Sequence, residues 1–223
     1  WTIFYMNSNQ GAGQDVENHY LASETMKNEF IDTWLFLANR YKDLPYIAAF
    51  EILAEPSFMK YDPTVTHQNL ADFYKEMMDT INTVTKGEIP FAIGPMNHYR
   101  EESFMDEYHM DGYNVIYAGN MFPPGEFRKG EATYAYGDSE FNKDSVYNCY
   151  KTALAFRNKY DVPMWVDQFG AQFIQEGYVQ YTEDVIQYFD SLELSWTYWN
   201  FRSPNGNAGL YERIPSKTGP YVL

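Results

Sequence analysis

The feature that most constrains what this chain can fold into is an alternation, kept up from Thr2 to Asn200, of short apolar runs with longer stretches of helical periodicity. The runs at 2–6 (TIFYM), 46–53 (YIAAFEIL), 90–94 (PFAIG), 113–119 (YNVIYAG), 163–167 (PMWVD) and 195–200 (SWTYWN) read as strands. They are too short for ordinary helices and carry the aromatic and branched residues that fill buried strands. Between them, Ser23 and Glu24 introduce 25–43, where Met26, Phe30, Trp34 and Leu37 recur three or four residues apart. In 67–86, Leu70, Phe73, Met77 and Ile81 line one helical face. Helices are expected again at 144–160 and 182–194, with a weak one at 102–108, whereas the loop 121–136 and the tail beyond Asn200 are rich in turn residues.

Strands that alternate with helices are joined by crossovers and so lie parallel, which leaves a doubly wound sheet or a (β/α)8 barrel. No G-x-G-x-x-G opens a helix after a strand, and GAGQDVEN at 11–18 lacks the third glycine, so a dinucleotide-binding sheet is the weaker reading. From 46 to 195 the strands begin about 37 residues apart on average, which suits a barrel with enlarged loops. The expected fold is therefore α/β, a (β/α)8 TIM barrel incomplete at its N-terminus. Six strand units are legible; the other two, about 60 residues at ~31 per unit, would precede Trp1. With no linker, repeat or break in composition, residues 1–223 read as one domain, and 45% hydrophobic residues are enough to build its core.

A formal charge of −15 argues against a nucleic-acid partner, because that affinity depends on Lys and Arg displacing counterions. No apolar run reaches the ~20 residues that span a bilayer, so no membrane partner is expected. Cys149 stands alone, and the four histidines, His19, His67, His98 and His109, lack the spacing of a metal site, so neither a metal nor a cofactor is expected. The acid-rich stretch EESFMDE at 101–107 reads as a solvated helix face. Aromatic residues make up 19% of the chain, more than a core needs, and suit grooves that receive sugar rings.

In a barrel of this kind chemistry sits where strands run into the following loops. Three such stretches, YIAAFEILAEPS, VPMWVDQFG and LSWTYWNFRSPNG, together resemble glycoside hydrolase family 5, the cellulase family, over nearly the whole chain. The resemblance implies a retaining glycosidase with glutamates after the fourth and seventh barrel strands. Where the family reads roughly FEILNEP, this chain reads FEILAEP, so Glu55 stands at the acid/base position with Ala54 replacing the sugar-contacting Asn. Where the family reads GEFG, this chain reads DQFG, so Gln168 stands at the nucleophile position with Asp167 before it. The ending FYMNSNQG puts Asn7 where the family has a histidine, and NMF puts Asn120 and Phe122 in its His-x-Tyr signature. Trp199 matches the aromatic floor under the sugar, and His98 and Tyr99, after the strand at 90–94, are further candidates for the cleft.

Retaining hydrolysis needs one ionised and one protonated carboxyl about 5 to 5.5 Å apart. An amide carries no charge and cannot form the glycosyl ester, so loss of activity is expected. Asp167 is not expected to substitute, since neighbours on a strand face opposite ways. An inverting mechanism would need a second carboxylate, with Asp106, Glu126, Asp138 and Glu176 as candidates. The expectation is a cellulase-like protein that binds a β-linked oligosaccharide or polysaccharide and is inactive or strongly impaired, the alternative being an active β-glycan hydrolase that uses Glu55 and a non-standard second carboxylate. The resemblance is compatible with secretion and gives no oligomeric state.

Overall fold

A computed structural model describes residues 2–7, 21–60, 62–122, 142–171, 177–200, 202–203 and 211–212, with the backbone alone for 2–7, 60, 202–203 and 211–212. Six strands follow the expected order: β1 (Thr2–Asn7), β2 (Ile47–Ala54), β3 (Phe91–Ile93), β4 (Val115–Met121), β5 (Met164–Phe169) and β6 (Ser195–Tyr198). The helices are α1 (Glu24–Tyr41), α2 (His67–Thr85), α3 (Lys143–Cys149), α4 (Lys151–Tyr160) and α5 (Tyr178–Ser191). The chain divides into two compact units, one of residues 1–118 and 155–164 and the other of 119–154 and 165–223.

In the first unit β1, β2, β3 and β4 run parallel in that order, as a chain of strand–helix crossovers requires. Tyr117 donates its backbone N–H to the Pro163 carbonyl at 3.0 Å, at the entry to β5. All but one residue of β2 are buried, which is why it reads as an unbroken apolar run rather than an alternating one. α1 turns Phe30, Trp34 and Ala38 inward. Trp34 donates its indole N–H to the Ile52 carbonyl at 3.1 Å and packs against Phe50, fixing helix to strand. α2 is started by a reciprocal cap between Thr66 and Asn69 and buries Leu70, Phe73, Tyr74, Met77 and Ile81. Tyr74 reaches the Gly94 carbonyl at 2.9 Å just past β3, and burial pushes its hydroxyl well above the usual phenol range.

Two expected elements take another form. The weak helix at 102–108 is a pair of single 3-10 turns, Glu101–Ser103 and Asp106–Tyr108, which Phe104 and Tyr108 tie to the core. The helix expected over 144–160 is broken at Tyr150, a buried residue with φ −86° and ψ 3°, so it divides into α3 and α4.

In the second unit β5 and β6 are parallel neighbours. Phe169 is the hub of their packing, with Phe189 of α5, Trp196 and Tyr198 all meeting its ring edge-to-face. Trp165 donates its indole N–H to Thr197 at 3.0 Å, and Trp196, itself exposed, donates its own to Asp190 at 3.1 Å. The tail, expected to be irregular, holds one short parallel pair, Arg202–Ser203 with Tyr211–Glu212.

Candidate functional site

The first unit presents a carboxylate and an imidazole at its strand ends. Asn7 and Ala54 are register partners at the ends of β1 and β2, so two of the positions named from sequence stand side by side. Glu55 follows Ala54 with φ 50°, a left-handed conformation that turns the chain sharply out of the strand. Asn97, His98 and Tyr99 also have positive φ, at 65°, 61° and 59°. Three such residues in succession without a glycine are rare, because each Cβ crowds the following carbonyl. The turn is held from both sides: His98 donates its backbone N–H to the Pro56 carbonyl at 3.2 Å, and the Tyr99 hydroxyl donates to the Leu53 carbonyl. It carries His98 Nδ1 to 3.8 Å from Glu55 Oε2, an electrostatic contact rather than a hydrogen bond. The Tyr99 side chain is fully buried, so its part is to pin the turn rather than to face an open cleft.

Beyond the turn, Glu101 is only 6% exposed, which corrects the solvated-face reading of this stretch. Burial first, and the neighbouring Glu102 next, raise its carboxyl to about 7. Glu102 is the exposed member and pairs with Arg100 at 2.9 Å. Asp106 pairs with Lys159 at 2.6 Å, and that contact holds its carboxyl below the usual range. The other proposed second carboxylates, Glu126, Asp138 and Glu176, lie outside the described residues.

The second unit brings together the strand-end residues of β4, β5 and β6. Asn120 is buried in β4, and Phe122 stands half-buried just past it. Between the pairs Val166–Trp196 and Phe169–Tyr198, β5 spends two residues, Asp167 and Gln168, where β6 spends one, Thr197. That is a β-bulge, which suspends the strict two-residue alternation and re-aims side chains. Gln168 donates its amide to Asp167 Oδ2 at 3.3 Å, so the expectation that the two would face apart does not hold. Asp167 is nearly buried, at 9% exposure, while Gln168 is half-buried. Trp199 donates its backbone N–H to the Phe169 carbonyl at 2.8 Å, which fixes it one residue from Gln168 across the sheet. Its side chain is 45% exposed, too open for a core residue and suited to receiving the flat face of a ring. Gly170 makes this approach possible, since a Cβ there would overlap the Trp199 carbonyl oxygen.

Among the described residues no group of three or more His, Cys, Asp or Glu side chains could hold a metal ion. No described helix is long and apolar enough to cross a membrane. The sequence singles out Glu55, Gln168 and Trp199 as candidates and names His98 for the cleft, but does not show that His98 meets Glu55 or that Asp167 holds Gln168; a bulge and a left-handed turn made of ordinary residues leave no periodic signal.

A family model described as cellulase (glycosyl hydrolase family 5) matches residues 9–205. Among solved structures, cellulose synthase subunit Z of Clostridioides difficile superimposes with a TM-score of 0.76 at 19% identity, covering 94% of this chain and 68% of its own. An endoglucanase from the hyperthermophile Thermotoga maritima gives 0.76 at 19% identity, covering 94% of this chain and 66% of its own. The structure of the Thermotoga maritima enzyme with mannotriose gives 0.74 at 19% identity, covering 94% and 67%. No curated protein sequence matches the chain closely enough to count as a relative. The fold is thus α/β of the (β/α)8 class, of which this chain spans about two thirds of the length of the solved relatives.

Proposed function

The chain belongs to glycosyl hydrolase family 5, the cellulase family, and from that membership we propose that it binds a β-linked oligosaccharide or polysaccharide without cleaving it at an appreciable rate. The observation that carries this reading is the amide of Gln168, engaged by Asp167, and the sequence pattern assigns that residue to the position of the family's nucleophile. Attack on an anomeric carbon requires an ionised carboxylate there, and loss of such a group costs several orders of magnitude in rate. The exposed Trp199 beside it supports retained binding, because a sugar's apolar face can settle on an indole whether or not the bond is broken. Amides at positions 120 and 168 suit a neutral ligand, since they offer hydrogen bonds without the desolvation cost of a charge. Solved relatives carry cellobiose and mannotriose, so cello- and manno-oligosaccharides are the ligand classes to try. Engagement of Asp106 with Lys159 weighs against the alternative hydrolase that would recruit that carboxylate.

The test is calorimetric titration of the protein with cellotetraose and mannotetraose, alongside Trp199→Ala. Measurable heat with at least one sugar is expected, with affinity at least about tenfold weaker in the variant, as for an exposed aromatic anchor. Heat from neither sugar would sink the binding reading.

A further inference from the structure

Asp167 and Gln168 lie within one bulge of β5, and this puts their side chains in contact rather than on opposite faces. A carboxylate only accepts hydrogen bonds, whereas a primary amide has one end that donates and one that accepts. Contact between them is favourable in only one of the two amide orientations, with the nitrogen toward Asp167. The amide plane then turns Oε1 away from the carboxylate. Because Asp167 is nearly buried, its preference is less screened by water than that of a surface carboxylate. Phe169, the next residue, is held in the core by three rings and accepts the Trp199 N–H, so the frame that carries the pair is rigid.

We propose that Asp167 is the positioning residue of this strand end: its carboxylate holds the Gln168 amide by the nitrogen, so that position 168 offers a ligand a fixed carbonyl oxygen, an acceptor for a sugar hydroxyl. Position 168 thereby keeps the hydrogen-bonding sense of a carboxylate, an acceptor, without its nucleophilicity. The ligand half of this proposal rests on the glycan-binding reading above; the orientation half does not.

The two halves are tested separately on the full chain. The Gln168 side-chain amide is identified in a nitrogen–proton correlation spectrum by its loss in Gln168→Ala, then followed in Asp167→Asn, Asp167→Ala and Asp167→Glu. In the wild type two well-separated, slowly exchanging amide protons are expected. They collapse toward solvent-exposed values in Asp167→Ala, shift and lose their single orientation in Asp167→Asn, whose own amide can either accept or donate, and recover in part in Asp167→Glu. Affinity for cellotetraose is expected to fall about fivefold in the near-isosteric Asp167→Asn, the loss of one oriented hydrogen bond, with little change in thermal midpoint. An amide signal indifferent to Asp167→Asn and Asp167→Ala overturns the orientation. A changed amide with unchanged affinity overturns its role in recognition. No heat from the wild type overturns that role together with the binding reading, while the amide spectra still decide the orientation.

Discussion

Gln168→Glu, which puts a carboxylate at the position proposed for the nucleophile, is the perturbation whose outcome the structure makes specific. The amide nitrogen it replaces lies 3.3 Å from Asp167 Oδ2, so the introduced carboxylate would meet an existing one at that distance. Two unit negative charges so placed repel by about 5 kcal/mol at an effective dielectric of ~20 and about 1.3 kcal/mol in bulk water. With Asp167 nearly buried and position 168 half-buried, the interaction falls between these limits, at about 3 kcal/mol. That raises the second ionisation of the pair by about 2 units above an ordinary Glu value of ~4.3. At pH 5 only about one molecule in twenty would then carry both charges, and in the rest the two carboxyls share a single charge, so the introduced nucleophile would be ionised roughly threefold less often than an isolated Glu. Asp167→Asn in the same chain removes the repulsion. The assay is carboxyl carbon NMR titration of Gln168→Glu with and without Asp167→Asn, followed by hydrolysis of an aryl β-cellobioside at pH 5. The account expects midpoints about 2 units apart and any regained turnover to be greater in the double variant. Midpoints within half a unit of each other would refute the reasoning, since the carboxylates would then not share a site.

Other outcomes follow from single side chains. The buried Glu101 carboxyl, raised to about 7, favours its protonated form in the fold, so its contribution is complete below the unfolded value of ~4.3 and is lost as pH rises toward 7. Over that window about 3 kcal/mol of stability is removed, and Glu101→Gln should match the wild type in urea unfolding near pH 4 and exceed it at pH 8; parallel profiles would contradict the burial. Gly170→Ala drives a Cβ into the Trp199 carbonyl oxygen, a backbone atom that cannot swing aside, and should cost about 3 kcal/mol and weaken sugar binding; a neutral result in thermal unfolding would show that the two strand ends do not approach as described. Tyr99→Phe removes the hydroxyl that pins the left-handed turn to the Leu53 carbonyl, and a loss of about 1–2 kcal/mol is expected on chemical denaturation.

The strands and long helices were legible because their signals come from burial. β2 is buried along nearly all its length and shows as a solid apolar run, and α1 and α2 write their inner faces at helical spacing. Side-chain patterns cannot report a change in backbone path. The bulge at Asp167 and Gln168 sits in a run of only six residues, Met164–Phe169, and only the unequal residue count against β6 reveals it. The turn at Asn97, His98 and Tyr99 is equally silent; Asn and His tolerate the left-handed region better than most residues, but three in a row is not something composition predicts. Glu101 was misjudged because a run of acidic residues suggests solvent, and burial of one member depends on which way a 3-10 turn rolls. Trp199 was legible only through the family pattern. Its exposure, not its residue type, is what supports a platform over a core plug.

The most direct test of the account separates holding the bond from breaking it. Cellohexaose labelled at its reducing end is incubated with the wild-type chain and with Glu55→Gln at a sugar concentration where calorimetry shows the wild type saturated. The account predicts a bound, intact oligosaccharide in both, with product no higher than in a protein-free control over a prolonged incubation. Steady release of shorter labelled sugars by the wild type, abolished by Glu55→Gln, would contradict it.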